Sequence, residues 1–162
     1  MGKVGKNILT QDDGLLLYSV PGEDLLFKVT GEDTDGALDY FVLDILPRSG
    51  PPLHLHHKQH ETLHFLSGKF LVHVDGEETE CDTGAFVHFP IGCTHAFMNI
   101  SDAPAKVILT FTPGHTDLFF EEFSPIIRGF DGPPDPAIIA PLFAKHNWEL
   151  KGPPLAKLHE GH

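Results

Sequence analysis

Cysteine is scarce in this chain: Cys81 and Cys93 are the only two among 162 residues. Two cysteines cannot make a disulfide framework, so the core must hold the fold, and the pair reads as two reduced thiols in a cytosolic protein. Basic residues are also few, 11 Lys and Arg against 23 Asp and Glu, for a formal net charge of -12. A surface of that sign repels phosphate, which argues against nucleic acid and anionic membranes as partners. No stretch approaches the roughly 18 consecutive apolar residues needed to cross a bilayer. The opening MGKVGKNILTQDDG lacks the apolar core of a secretory signal, and Lys6 stands where a myristoylation signal needs Ser or Thr. A cytoplasmic location is the expectation. The remainder, 41% hydrophobic and 21% charged, is ordinary for a globular chain, and residues 1–162 read as one domain able to bury its own core.

The chain is built of short apolar segments punctuated by turn residues. Strands are predicted at 14–18, 24–30, 38–46, 62–66, 69–74, 85–89, 94–100 and 105–112, each rich in Leu, Val, Phe or Tyr and bounded by Gly, Pro, Ser or Asp. Asp75-Gly76 marks a two-residue hairpin, because both residues tolerate positive φ. Strands this short and this closely spaced predict a sandwich or barrel of about 14–114, not a parallel α/β sheet. After that the pattern turns helical, over about 116–146. Thr116 is placed to cap a first helix, and Asp135-Pro136 supplies an N-cap and first-turn pair for a second, with Pro141 a kink or restart. Residues 157–162 are expected to fray.

Histidine is the anomaly, twelve in all with five between His54 and His64. His54 and His56 are two apart, a spacing that puts both on one face of an extended segment. Alone that is a weak signal, but the pair opens a longer frame: His54-x-His56, four residues, Glu61, six residues, Gly68. A second frame runs Gly84, five residues, Pro90-x-Gly92, two residues, His95, three residues, Asn99. Together they resemble the two motifs of the cupin superfamily. The resemblance implies an all-β double-stranded β-helix, a jelly-roll barrel with a short C-terminal helical tail, and one divalent metal held by His54, His56, Glu61 and His95. Three imidazoles and one carboxylate suit Fe, Mn, Ni, Co, Cu or Zn rather than a thiolate-seeking ion, and leave a coordination position open. One departure stands out: the family's first motif opens with Gly six residues before the first His, where this chain has Arg48, with Gly50 two residues on.

Gly31-Glu32-Asp33-Thr34-Asp35-Gly36, Pro51-Pro52-Leu53, Thr112-Pro113-Gly114, Phe119-Phe120 and Gly152-Pro153-Pro154 extend the likeness to small single-domain cupins described as quercetin 2,3-dioxygenase-like. What this implies is a metal-dependent dioxygenase acting on a flavonol-like or small enolic substrate, with dioxygen as second reactant and Glu61 as both ligand and proton acceptor. The same frame carries isomerases, lyases and non-catalytic small-molecule binders, which stay open as alternatives. By strand parity Leu63 and Phe65 share a face with Glu61, and Phe97 and Asn99 share one with His95. Leu63, Phe65 and Phe97 are therefore candidates to line a substrate cavity, with core packing the alternative for each. His64 has the opposite parity and should face away. His57, His60, His73 and His88 are expected at the surface, His115 could reach the barrel mouth, and His146, His159 and His162 fall in the tail. A homodimer sharing N-terminal strands is expected, since a jelly roll leaves sheet edges that a second copy can cover.

Overall fold

Residues 39–45, DYFVLDI, set Phe41, Leu43 and Ile45 on one face and polar or half-buried residues on the other, and the structure buries the first set at 0–2% exposure. That period-two pattern repeats through the chain and builds two antiparallel sheets. The computed structural model describes residues 2–161. In chain order the strands are β1 (Leu15–Tyr18), β2 (Glu23–Val29), β3 (Asp39–Ile45), β4 (Pro52–His56), β5 (His60–Phe65), β6 (Phe70–Val74), β7 (Glu77–Cys81), β8 (Phe86–Phe89), β9 (His95–Asn99) and β10 (Ala105–Thr112). Helices α1 (Asp117–Ile127) and α2 (Pro136–Lys145) follow, then β11 (Trp148–Pro154) and the short α3 (Leu155–Leu158). One sheet orders β1-β2-β3-β10-β5-β8 and the other β11-β4-β9-β6-β7. Their inner faces enclose a core dominated by phenylalanine. Among the described residues no helix is long and apolar enough to cross a membrane.

Three elements escape the expected pattern. β4 is buried along its whole length, because one side faces the barrel and Leu53 on the other packs with Ala96, Met98 and Leu155. With both sides covered there is no alternation to detect. β7, EETEC, has no apolar face at all and exists as the charged edge partner of β6. Asp75 and Gly76 join the two with φ of 45° and 91°, as the hairpin signal required. β11 lies inside what reads as a tail, and pairs with β4 so that Trp148 faces His56 and Leu150 faces His54. Its Gly-Pro-Pro end is tolerated because β11 is an edge strand.

The helices close the barrel rather than trail from it. Ser124 of α1 accepts from Tyr18 N at 2.9 Å and donates to Tyr18 O at 2.7 Å, and the Arg128 guanidinium stacks 3.8 Å over the Tyr18 ring. Asp135 caps α2 by accepting from Ala137 N at 2.9 Å, as expected. Two expectations are corrected. Thr116 flanks α1 but makes no side-chain cap; its hydroxyl donates instead to the buried Asp39 at 2.5 Å. Pro141 neither ends nor restarts α2, which runs through it. The final segment is also not wholly frayed, since α3 seats Leu155 in the second core and His159 reaches Glu78 at 2.9 Å.

The departure at Arg48 has a visible consequence. Arg48 takes φ +67°, the left-handed region that favours glycine, and donates its N–H to Asn99 O at 2.8 Å. Gly50 is required for another reason: a Cβ there would sit 1.8 Å from Phe97 O. The turn thus separates two demands, backbone conformation at 48 and close approach at 50. Arg48→Gly relieves the first, and its thermal midpoint is expected about 2–4 °C above wild type, equivalent to about 1 kcal/mol. A midpoint at or below wild type would show that the Arg48 side chain contributes more than its backbone costs.

Candidate metal centre

Strand geometry assembles this site from both sheets. His54 and His56 project from β4 on one face, and the β4–β9 register sets His95 directly opposite His54. Glu61 comes from β5 in the other sheet, one residue after the strand begins. The ring centroids of the three histidines lie 4.4–5.1 Å apart. Glu61 Oε1 stands 3.0 Å from His56 Nε2 and 3.5 Å from His95 Nε2. One donor atom from each residue lies within 4.8 Å of all the others, and none of the four side chains' residues exceeds 6% exposure.

The surroundings orient the imidazoles. His54 Nδ1 hydrogen-bonds Pro52 O at 2.6 Å and His95 Nδ1 hydrogen-bonds Cys93 O at 3.0 Å, so each ring turns its Nε2 toward the cluster. Phe89 stacks on His95 at 4.1 Å, and Trp148 stands edge-on to His56 at 4.2 Å. Burial holds His54 well below the ordinary imidazole range, reinforced by neighbouring His95 and His56, and burial lowers His56 as well. Burial would raise Glu61, yet the charge on His95 and the hydrogen bond from His56 hold it below the usual carboxylate range. His95 moves the other way: burial opposes its charge, but the Glu61 carboxylate and the Cys93 contacts carry it upward.

The cluster fits a divalent ion on a second ground. His56 Nδ1, Glu61 Oε2 and His95 Nε2 are buried without hydrogen-bond partners. Buried polar atoms are almost always satisfied, and an ion at the centre would satisfy Glu61 and His95 while displacing the proton that His56 shares with Glu61. His54, His56, Glu61 and His95 could therefore hold a metal, and no thiol is among them.

Beside the cluster lies a cavity of about 50 Å³. That is a small space, partly open to solvent. Its walls are apolar and come from far apart in the chain: Phe41 and Leu43 on β3, Phe111 on β10, Phe119 and Phe120 on α1, and Trp148 on β11. Phe97 borders it. Leu63 and Phe65 do not; both are wholly buried in the core, where Phe65 stacks on Phe70 at 4.4 Å. Strand parity was right about their inward direction but could not place the cavity along the barrel axis. Asn99 staples a turn, its Nδ2 donating to Ile45 O and Ala103 O and its Oδ1 accepting from Ser101. Phe119 and Phe120 are at once core and cavity wall.

The remaining histidines stay outside. His64 is exposed, His57 meets Glu149 at 3.1 Å, and His60 and His88 contact each other at 2.9 Å on the outer face. His73 is partnered by Glu78, and His146 by Glu122. His115 does not reach the cavity; it packs against Gly31 and Gly36 with φ +73°. His162 lies outside the described residues. Cys81 and Cys93 are both free. What sequence reasoning missed is Glu23, a buried carboxyl on the cavity wall. It shares parity with Leu25 and Phe27, so starting the second strand one residue earlier would have exposed it.

A mainly β fold of two antiparallel sheets with this cluster inside defines a cupin jelly roll. Residues 41–111 match the Cupin domain family. Among solved structures, KdgF from Halomonas sp. is similar at a TM-score of 0.61 and 17% identity, over 69% of this chain and 99% of that one. A predicted oxalate decarboxylase from Thermotoga maritima is similar at 0.60 and 14%, over 65% and 98%. A putative sugar phosphate isomerase from Acidithiobacillus ferrooxidans is similar at 0.53 and 21%, over 65% and 74%. These likenesses carry the fold. No curated protein matches the chain.

Proposed function

We propose that this protein is a metal-dependent cupin enzyme, a dioxygenase acting on a small enolic compound rather than on a flavonol. The observation that carries the reading is a small, largely apolar cavity bordered by His54, His56 and Glu61 of the four-residue cluster. Size supports the smaller substrate, because a space of about 50 Å³ is narrow for three fused or linked rings.

A divalent metal held there would polarise an enol oxygen and, where redox-active, open a path for dioxygen chemistry. The chain's own residues do the rest. Glu61, kept ionised, is the base positioned to take the enol proton, which the imidazoles cannot do while their lone pairs are committed. Phe111, Phe119 and Trp148 exclude water and strengthen each electrostatic contact inside. The overall change consumes one dioxygen and breaks one carbon–carbon bond of the substrate.

A second reading is non-oxidative, an isomerase or lyase in which the metal acts only as a Lewis acid. Glu23 favours it, since a second carboxyl in the cavity is suited to proton shuttling. The test is oxygen uptake with acetylacetone and with quercetin, after loading Fe, Mn, Co, Ni, Cu and Zn separately. Uptake is expected with the small diketone only, falling about 100-fold in Glu61→Gln with the metal still bound. Full turnover in Glu61→Gln would remove the base role. Stoichiometric metal with no uptake for any ion would move the assignment to the non-oxidative reading, assayed anaerobically.

A further inference from the structure

The cavity holds a carboxyl that the metal cluster does not use. Glu23 begins β2 and turns into the barrel beside Leu25 and Phe27. It is 4% exposed, and it borders the same cavity as His54, His56 and Glu61. Its Oε1 has no hydrogen-bond partner, and Ser19 is the side chain that bonds the carboxyl. Leu25, Phe41 and Leu43 line the same cavity, so an apolar residue would suit the position better if packing were the only demand. A bare buried carboxyl oxygen destabilises a fold and persists where a ligand supplies the missing partner.

We propose that Glu23 is a substrate-binding residue, anchoring one oxygen of a small ligand whose other oxygen sits at the His54, His56, Glu61 and His95 cluster. This rests on the reading of the cavity as a substrate site, and it narrows the substrate to compounds with two oxygens, such as a 1,3-dicarbonyl in its enol form. The protonation state agrees with that choice. Burial pushes Glu23 up to about 8, opposed by the Ser19 hydrogen bond and assisted by the charge of Glu61. At neutral pH the carboxyl is therefore an O–H donor, which seeks a carbonyl or enolate acceptor.

The experiment is calorimetric titration of the zinc-loaded protein with acetylacetone, alongside metal content and thermal midpoint. Glu23→Gln keeps an N–H donor, so its affinity is expected within about threefold of wild type. Glu23→Leu is expected to weaken the probe at least tenfold, with metal content unchanged and the ligand-free midpoint raised about 2–4 °C. A purely structural Glu23 reverses this pattern, lowering the midpoint in Glu23→Leu and leaving probe affinity alone. Equal affinity in wild type and Glu23→Leu overturns the role of Glu23 by itself. Absence of binding by the zinc-loaded wild type overturns it together with the small-enol reading.

Discussion

Saturating the metal-free protein with Zn(II) or Co(II) is expected to raise its thermal midpoint by about 8–16 °C at a thousandfold excess over Kd. The size follows from mass action, about 4 kcal/mol, spread over a chain of this length. Beneath it lies a local cause. Without an ion the cluster leaves His56 Nδ1, Glu61 Oε2 and His95 Nε2 buried and unpartnered, and a dication satisfies the last two directly. His54→Ala and His95→Ala should each lose most of the rise, and the two variants should differ before metal is added. His54 is held neutral by its burial, so its loss costs packing and the Pro52 hydrogen bond but strands no charge, about 2–3 kcal/mol. His95 is the main charge acting on Glu61, so its loss leaves the buried carboxylate with the His56 hydrogen bond alone and costs about 3–5 kcal/mol. Urea unfolding of the metal-free variants measures both; equal losses would deny the His95–Glu61 pairing. The pH dependence follows the same pair. Glu61 is lowered in the folded state, so its contribution is present above its unfolded value of 4.5 and drains away as pH falls below that.

Asp39→Ala is expected to cost about 4 kcal/mol or more, without removing any donor of the His54, His56, Glu61 and His95 cluster. Asp39 is fully buried at the start of β3, where its Oδ1 accepts from Gly31 N at 2.6 Å and His115 N at 3.1 Å. Its Oδ2 accepts from Thr116 N at 2.7 Å and from the Thr116 hydroxyl at 2.5 Å. One carboxylate thus satisfies four donors from two loops, and deleting it leaves those donors buried and bare. The segment it ties down leads into α1, which carries Phe119 and Phe120 to the cavity wall. Loosening that entry would admit water to the cavity. Asp39→Asn is the control: it keeps the acceptor oxygen for one loop and should lose less. Chemical denaturation gives the cost, and a loss below about 1 kcal/mol for Asp39→Ala would refute the role.

The metal cluster was legible because its chemistry is written locally. His54 and His56 need only an extended backbone to share a face, and Glu61 and His95 stand at spacings that turn residues such as Gly68, Pro90 and Gly92 enforce. Strands with one solvent face, such as β3 and β10, announced themselves through alternation. The elements that went unread lack that pattern for physical reasons. β4 is covered on both sides, β7 is a charged edge with no buried side, and β11 contains Gly152, Pro153 and Pro154, which signal a turn until a neighbouring strand claims them.

The residues alone therefore determined the barrel, the Asp75-Gly76 hairpin and the four side chains that come together as a possible metal site. Only the tertiary structure decided what surrounds that set. Leu63 and Phe65 face inward as parity requires, but depth along the barrel axis removes them from the cavity and brings in Glu23, Phe111 and Trp148 instead. Period-two alternation distinguishes inside from outside and nothing more. The walls of the cavity come in part from α1 and β11 packing against the barrel, contacts made over long separations that no local pattern records.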